Sequence, residues 1–215
     1  MTIHEPATLA TDYLLAAVAA WLARRLHLRL SRTAPAARWW SWTLAAIAAS
    51  ALVGGSYHGF APEPPTKIFA LWWLATLWLV SLTSAAMTVS WIHAVVPPRW
   101  HRLGFAAVAA KLLVFAAIAA SRPVFAVVVF DYGSSILLWL GAALLLRRNW
   151  SAWMVAAIAL TIVATLVQQL RLAPSAHFNH NDLYHVIQTV ALVAFYRAAR
   201  QLAPSPSGAA EEAVD

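Results

Sequence analysis

Apolar residues fill most of this chain in seven runs, which short polar or proline-containing breaks separate. The runs cover 8–28, 39–60, 68–96, 103–120, 124–146, 150–170 and 182–202. A helix that crosses a bilayer needs about 20 mostly apolar residues, and each run reaches or approaches that length. Prolines at 62–65, 97–98 and 123 mark three of the breaks. The pattern predicts an all-α membrane protein, a seven-transmembrane-helix bundle over 1–203, followed by a disordered acidic tail over 204–215.

The composition supports this prediction and excludes other classes of protein. Hydrophobic residues make up 62% of the chain and charged residues 11%, whereas soluble domains carry about 25% charged residues. The net charge of +7 comes from arginines between the apolar runs, which predicts membrane topology rather than nucleic-acid binding. The chain has no cysteine, so disulfides, thiolate nucleophiles and sulfur-ligated metals are excluded. The partners expected for such a chain are membrane lipids.

The basic residues are divided unevenly between the two predicted sides of the membrane. One side carries eleven: Arg24, Arg25, Arg29, Arg32, Arg38, Arg99, Arg102, Arg147, Arg148, Arg197 and Arg200. The other side carries three: Lys67, Arg122 and Arg171. The positive-inside rule then predicts an N-terminus outside and a C-terminus in the cytoplasm. Because alanine and arginine are abundant and lysine is scarce, we expect the bacterial cytoplasmic (inner) membrane. The first residues lack the basic region of a signal peptide, so we expect the first run to remain as an anchor.

Polar residues concentrate at 177–188, where the seventh run begins. These twelve residues include three histidines, two asparagines, an aspartate and a glutamine. The predicted topology puts them on the outer side, in one layer with Asp12, His58, Glu63, Gln168 and Gln169. Either Asn179 or Asn181 can cap the seventh helix, with Asp182 favoured in its first turn by the helix dipole. Capping does not account for the histidines, which are suited to binding a metal or moving protons.

Two short motifs resemble those of the CREST superfamily, which includes alkaline ceramidases, adiponectin-receptor-type proteins and bacterial hemolysin III relatives. The motifs are Gly-Ser-Tyr-His at 55–58 and Asn-Asp-Leu-Tyr-His at 181–185. The resemblance implies a seven-helix zinc-dependent hydrolase of lipid amides. His58 matches the family histidine that ends helix 2, and His185 matches the second histidine of the pair that opens helix 7. Asn181 stands where the first histidine of that pair is expected, and the third run opens at 66–69 without the family aspartate.

The first functional hypothesis is therefore a zinc hydrolase acting on a lipid amide or ester. Three histidines would hold the zinc ion: His58, His180 and His185. A metal-bound hydroxide would attack the carbonyl of a lipid substrate delivered from the bilayer. Ser56 would donate to the oxyanion, and Asp12 or Asp182 would transfer protons.

The second hypothesis is a non-enzymatic membrane protein, either a sensor or a transporter, that binds a small ligand in the same polar layer. A third hypothesis is that His58 and His185 bind a b-type haem. Separately, Lys111 and Asp131 fall at similar depth in the fourth and fifth runs. Inserting an ionisable residue at the centre of a membrane helix costs about 2.5–3.5 kcal/mol of free energy. The presence of these two residues therefore predicts either a salt bridge between adjacent helices or a proton or ion relay.

Overall fold

The computed structural model describes residues 3–29, 34–63, 65–175 and 177–202. Over these residues the seven predicted runs are confirmed as α-helices, and no strand is present. The helices are α1 (Pro6–Arg29), α2 (Pro35–Phe60), α3 (Lys67–Val95), α4 (His101–Ser121), α5 (Phe125–Leu146), α6 (Ser151–Gln169) and α7 (His180–Arg200). A single 3-10 turn, Pro98–Trp100, precedes α4. The predicted acidic tail, 204–215, lies outside the described residues.

The helix ends differ from the predicted runs by a few residues, for local reasons. The helix α2 begins at Pro35, four residues before the apolar run, because proline favours the first position of a helix and needs no hydrogen-bond acceptor there. The helix α7 begins two residues before its predicted start, since the side chain of Asn179 caps it. Polar and proline residues outside the apolar runs therefore set these boundaries.

Five helices are long and apolar enough to cross a membrane: α1, α3, α4 with its preceding turn, α5 and α6. The helix α7 is less apolar, but it turns Asp182, His185 and Gln188 into the bundle, where all three are buried. Large apolar side chains instead cover the outside, including Phe130 and Leu145. A bundle with an apolar outer surface and polar side chains buried at one end is suited to the hydrocarbon core of a bilayer. The chain therefore has the character of a membrane protein.

Six of the helices form a closed ring in the order α1, α2, α3, α5, α6, α7, with α7 packed back on α1. The helix α4 lies outside the ring against α3 and α5. Three buried aromatic rings fill one end of the ring: Trp40 stacks on Phe195 with centroids 5.1 Å apart and contacts Trp139 at 5.7 Å. The other end is polar. We call it the polar end and define it by Asp12, His58, Asp182 and His185.

A buried ion pair joins α4 to the ring. Lys111 Nζ lies 2.8 Å from Asp131 Oδ1, so the predicted salt bridge between the fourth and fifth helices is confirmed. Lys111 also donates to Ser84 Oγ at 2.8 Å and to Ser135 Oγ at 3.1 Å, and Ser84 donates to Asp131 Oδ1 at 2.8 Å. Several hydrogen bonds to both charges are what a buried pair needs to offset its desolvation.

Candidate ligand-binding site

The polar end is built on a seam between α1 and α7. Thr8 Oγ1 donates to Asp182 Oδ1 at 2.8 Å, and one turn further on His185 Nε2 lies 3.2 Å from Asp12 Oδ1. Thr8 and Asp12 are four residues apart on α1, and Asp182 and His185 are three apart on α7, so each pair shares one helical face. The two helices run in the same direction, and buried polar contacts fix their register at this end.

Helix capping accounts for Asp182. The Asn179 side chain accepts hydrogen bonds from the backbone N–H of Asn181 at 2.7 Å and of Asp182 at 3.3 Å. In return Asp182 Oδ2 accepts from the Asn179 N–H at 2.6 Å, which completes a capping box. The capping prediction is confirmed, and Asn179 is the asparagine that caps. With Thr8 on the other oxygen, Asp182 has protein partners for both of its carboxylate oxygens.

Close packing of α1 on α2 positions His58 at the polar end. A Cβ added at Gly55 would lie 2.6 Å from Asp12 Cβ, and one at Gly59 would lie 2.9 Å from Leu9 Cδ2. The two glycines are four residues apart, the small-residue spacing that lets membrane helices approach closely. His58 lies between them in sequence, and its Nδ1 is 3.6 Å from Glu5 Oε2. The His58 imidazole beside it lowers the pKa of the Glu5 carboxyl below its usual value.

The predicted catalytic and metal-binding residues are only partly brought together. His58, Asp12 and His185 line one cavity, whereas Ser56 and His180 do not belong to its lining. Ser56 donates to the Leu52 carbonyl at 2.7 Å and lies 2.9 Å from the Tyr13 hydroxyl. His180 is the first residue of α7 and is half-buried.

The same geometry tests the zinc site that the resemblance implies. Across the described ranges no three histidine or acidic side chains converge as a metal-binding group. His185 has a protein partner at each ring nitrogen, with Asp12 at Nε2 and Thr11 Oγ1 3.2 Å from Nδ1. A zinc ion would have to displace one of them, so the arrangement does not fit a preformed zinc site. Zinc binding by His58, His180 and His185 stays a prediction from the sequence.

The cavity has a volume of about 720 Å³ and is lined by all six helices of the ring. Pockets for small molecules typically measure about 300–1,000 Å³. Its polar lining includes Asn181, Tyr184 and Gln188 beside Asp12, His58 and His185 at the polar end. Hydroxyl residues further along the helices also belong to it: Ser50, Thr76, Thr83, Ser134, Thr161 and Thr165. The rest is mostly apolar, with side chains such as Ile47, Val80 and Val128. The cavity is thus amphipathic, with one polar end and a long apolar wall.

Four buried polar atoms in this lining lack a hydrogen-bond partner within the described part of the chain: Asp12 Oδ2, Thr161 Oγ1, Gln168 Oε1 and Gln188 Oε1. The described residues contain eight such atoms in all, so half of them belong to side chains that line one cavity. A buried acceptor without a partner destabilises a fold by about 1–3 kcal/mol. Concentrating four of them in one place is therefore typical of a binding site, where a ligand supplies the missing partners.

The cavity opens sideways between α5 and α6. Four of its apolar lining residues also lie exposed on the outside of the bundle: Phe130 and Leu137 on α5, and Ile162 and Leu166 on α6. Phe130 is 76% exposed and Leu137 is 67% exposed. Side chains that border both a cavity and the lipid-facing surface form an edge between them. The apolar part of the cavity therefore borders the outside of the bundle between α5 and α6.

Sequence reasoning had grouped Asp12, His58, Gln168, His185 and Gln188 in one polar layer, and all five line the cavity. It missed Thr161, which sits one turn before Thr165 in an otherwise apolar stretch of α6. Two hydroxyls four residues apart in a membrane helix mark one face, and that spacing was the available signal. It also placed Glu63 and His177 in this layer, but both are exposed.

One comparison with known proteins found a match. The model of a family of unknown function, DUF6962, matches residues 7–204. No curated protein and no solved structure matches the chain. Because the matched region runs from the first turn of α1 to just past the end of α7, the chain belongs to the DUF6962 family.

Proposed function

We propose that this protein is an integral membrane protein that binds a small amphipathic molecule in the cavity between its helices, as a sensor or a transporter does. One observation carries the proposal: four residues that line the same amphipathic cavity each have a buried hydrogen-bonding atom without a partner among the described residues. The size of the cavity and its lateral opening support a ligand that comes from the membrane.

Binding is favoured over hydrolysis by the positions of two residues predicted for the hydrolase. Neither Ser56, the predicted oxyanion donor, nor His180, a predicted zinc ligand, belongs to the cavity lining. A general base must lie within hydrogen-bond reach of the group from which it takes a proton, and that group must meet the substrate. The zinc hydrolase stays an alternative, which metal analysis of purified protein tests. We expect no stoichiometric zinc that depends on His185; zinc that is lost in His185→Ala would favour the hydrolase instead.

The proposal includes a seven-helix bundle in the bacterial inner membrane with the polar end outside. The excess of arginine at the opposite end supports this orientation. Because the chain has no cysteine, single cysteines can report it. Glu63 and Arg148 are exposed near opposite ends of the bundle. In intact cells a membrane-impermeant maleimide should label Glu63→Cys and spare Arg148→Cys, and the reverse pattern would overturn the orientation.

A matched pair of glycines provides the test of binding. Gly133 lines the cavity, and a Cβ built on it meets no atom within 4 Å. Gly141, on the same helix, has equally open space but does not line the cavity. Gly133→Leu should therefore fill the cavity without disturbing the backbone, while Gly141→Leu makes the same change of residue elsewhere on α5.

The measurement is the thermal unfolding of purified protein in mild detergent with and without added single-chain amphiphiles. A ligand at about 100 times its Kd contributes about 2.7 kcal/mol, which corresponds to a rise in Tm of about 5–10 °C for a chain of this size. The wild type and Gly141→Leu should show the rise, and Gly133→Leu should lose it. Since micelle partitioning is common to all three proteins, equal shifts would refute the proposal.

A further inference from the structure

One carboxylate and two imidazoles belong to the cavity lining: Asp12, His58 and His185. Asp12 is the one aspartate, glutamate, lysine or arginine among the lining residues that the structure describes. Its Oδ1 contacts His185 Nε2, whereas its Oδ2 is buried and has no partner there. Asp12 as a whole is only 4% exposed. A carboxylate in such surroundings is stabilised by a cation that comes close to its free oxygen.

The neighbouring unpartnered atoms are suited to the same chemistry. The free atoms of Gln168 and Gln188 are carbonyl oxygens, which accept hydrogen bonds and cannot donate them. Gln188 is 6% exposed and lies one turn beyond His185 on α7. The Gln168 amide nitrogen is directed to Asn181 Oδ1 at 3.5 Å, which leaves its oxygen free. These amide oxygens add uncharged hydrogen-bond acceptors to the cavity lining and leave Asp12 as its one carboxylate.

The apolar part of the cavity defines the rest of the ligand. It continues from the polar end to the lateral opening between Phe130 and Leu137 on α5 and Ile162 and Leu166 on α6. An apolar chain can lie along this wall and leave the bundle into hydrocarbon without crossing water. The polar and apolar ends of the cavity therefore match the two ends of a single-chain amphiphile.

We infer that the ligand is a primary amine on a single apolar chain, bound as its ammonium ion next to Asp12 and admitted from the membrane between α5 and α6. This inference deepens the proposed binding function and rests on it. An ammonium offers N–H donors and a positive charge, which suit the carboxylate of Asp12.

The experiment compares three probes that share one chain and differ in head group: dodecylamine, dodecanol and dodecanoate. Apparent affinities are taken from the concentration dependence of the Tm shift in wild-type protein. Dodecylamine should bind most tightly and dodecanoate most weakly. Asp12→Asn should weaken dodecylamine binding by about 10- to 100-fold, the range of a charge-assisted hydrogen bond, and leave dodecanol nearly unchanged.

A second variant separates the charge of Asp12 from general polarity. Thr161, which is 5% exposed, also faces the cavity with an unpartnered hydroxyl. Thr161→Val keeps the shape of the side chain and removes that hydroxyl, so it should change dodecylamine and dodecanol binding to the same extent. A Thr161→Val effect confined to the amine would overturn the role assigned to Asp12. The order of the three probes on wild-type protein tests the inference even if Asp12→Asn does not fold.

The outcomes distinguish this inference from the proposal beneath it. If dodecanol or dodecanoate stabilises the wild type at least as well as the amine, and Gly133→Leu abolishes the effect, binding stands and the amine is excluded. If no probe distinguishes the wild type from Gly133→Leu, both fail. A dodecylamine analogue with a diazirine at its tail end should crosslink to α5 or α6 near the lateral opening, and crosslinks confined to α1 and α2 would overturn the route.

Discussion

Removing the Lys111 ammonium should strongly destabilise the bundle, because it leaves a second carboxylate buried without a counter-charge. Asp131 is 1% exposed, and Lys111 provides its ion pair at 2.8 Å. Lys111→Met keeps an unbranched side chain of similar reach and removes the charge together with its hydrogen bonds to Ser84 and Ser135. Asp131 would then keep the Ser84 hydroxyl as its hydrogen-bond donor.

The size of the effect follows from the geometry. At 2.8 Å and an effective dielectric constant of about 20, the attraction between the two charges is about 6 kcal/mol, much of which offsets desolvation. Removing one partner of a buried pair typically costs about 3–5 kcal/mol. Because the Lys111 side chain is 23% exposed, we expect the lower end, about 3 kcal/mol. Replacing both partners with apolar residues, Lys111→Met with Asp131→Leu, should reduce the loss to under about 1 kcal/mol.

The assay is a double-mutant cycle on the free energy of unfolding in mild detergent. A coupling of at least about 2 kcal/mol is expected between the two positions. Neither residue lines the cavity, so the stability-restored double variant should bind amphiphiles as the wild type does. Additive effects of the two substitutions would refute the reasoning about the ion pair. Lost binding in a stable double variant would show that the pair acts as more than a link between α4 and the ring.

Three further predictions concern the polar end. Gly55→Ala would put a Cβ 2.6 Å from Asp12 Cβ, and it should lower the unfolding free energy by about 1–3 kcal/mol. Gly133→Ala serves as the neutral control, because a Cβ at Gly133 meets no atom within 4 Å. Asn179→Ala removes the cap of α7, and we expect a loss of about 1 kcal/mol with faster hydrogen exchange confined to the first turn; unchanged exchange there would contradict it. His58 lowers the pKa of Glu5 from 4.5. The stabilisation by the Glu5 carboxylate is therefore present above about pH 4.5 and is lost as the pH falls through the lowered pKa. Glu5→Gln should flatten that part of the curve of unfolding free energy against pH.

The fold was largely predictable because each helix is encoded locally. Apolar runs of membrane-spanning length identify the helices, and proline or a capping asparagine sets several of their ends. The pairing of Lys111 with Asp131 was also predictable, since two buried charges of opposite sign at one depth on consecutive helices have few other partners. The choice between Asn179 and Asn181 as the cap was left open by sequence spacing, because both precede the apolar run and only the backbone conformation separates them.

The cavity was much less predictable, because it depends on how six helices are arranged relative to one another. A sequence can indicate that Asp12 and His185 share a side of the membrane, but not that their side chains meet at 3.2 Å. It also could not indicate that Thr161 would be left without a partner while Asp182 had one for each oxygen. Hydrogen-bond satisfaction is a property of the packed structure, so the strongest evidence for a ligand came from the atoms that packing left over.

The seam between α1 and α7 makes the order of synthesis important. Thr8 and Asp182 are 174 residues apart, so α1 leaves the ribosome well before its partner α7. Until α7 arrives, the ring is open and the buried polar side chains of α1 lack their contacts. Any truncation before α7 removes one wall of the cavity and the hydrogen bond to Thr8 together. A shortened chain would therefore carry unsatisfied polar groups on α1, the type of defect by which cellular quality control identifies an incomplete protein.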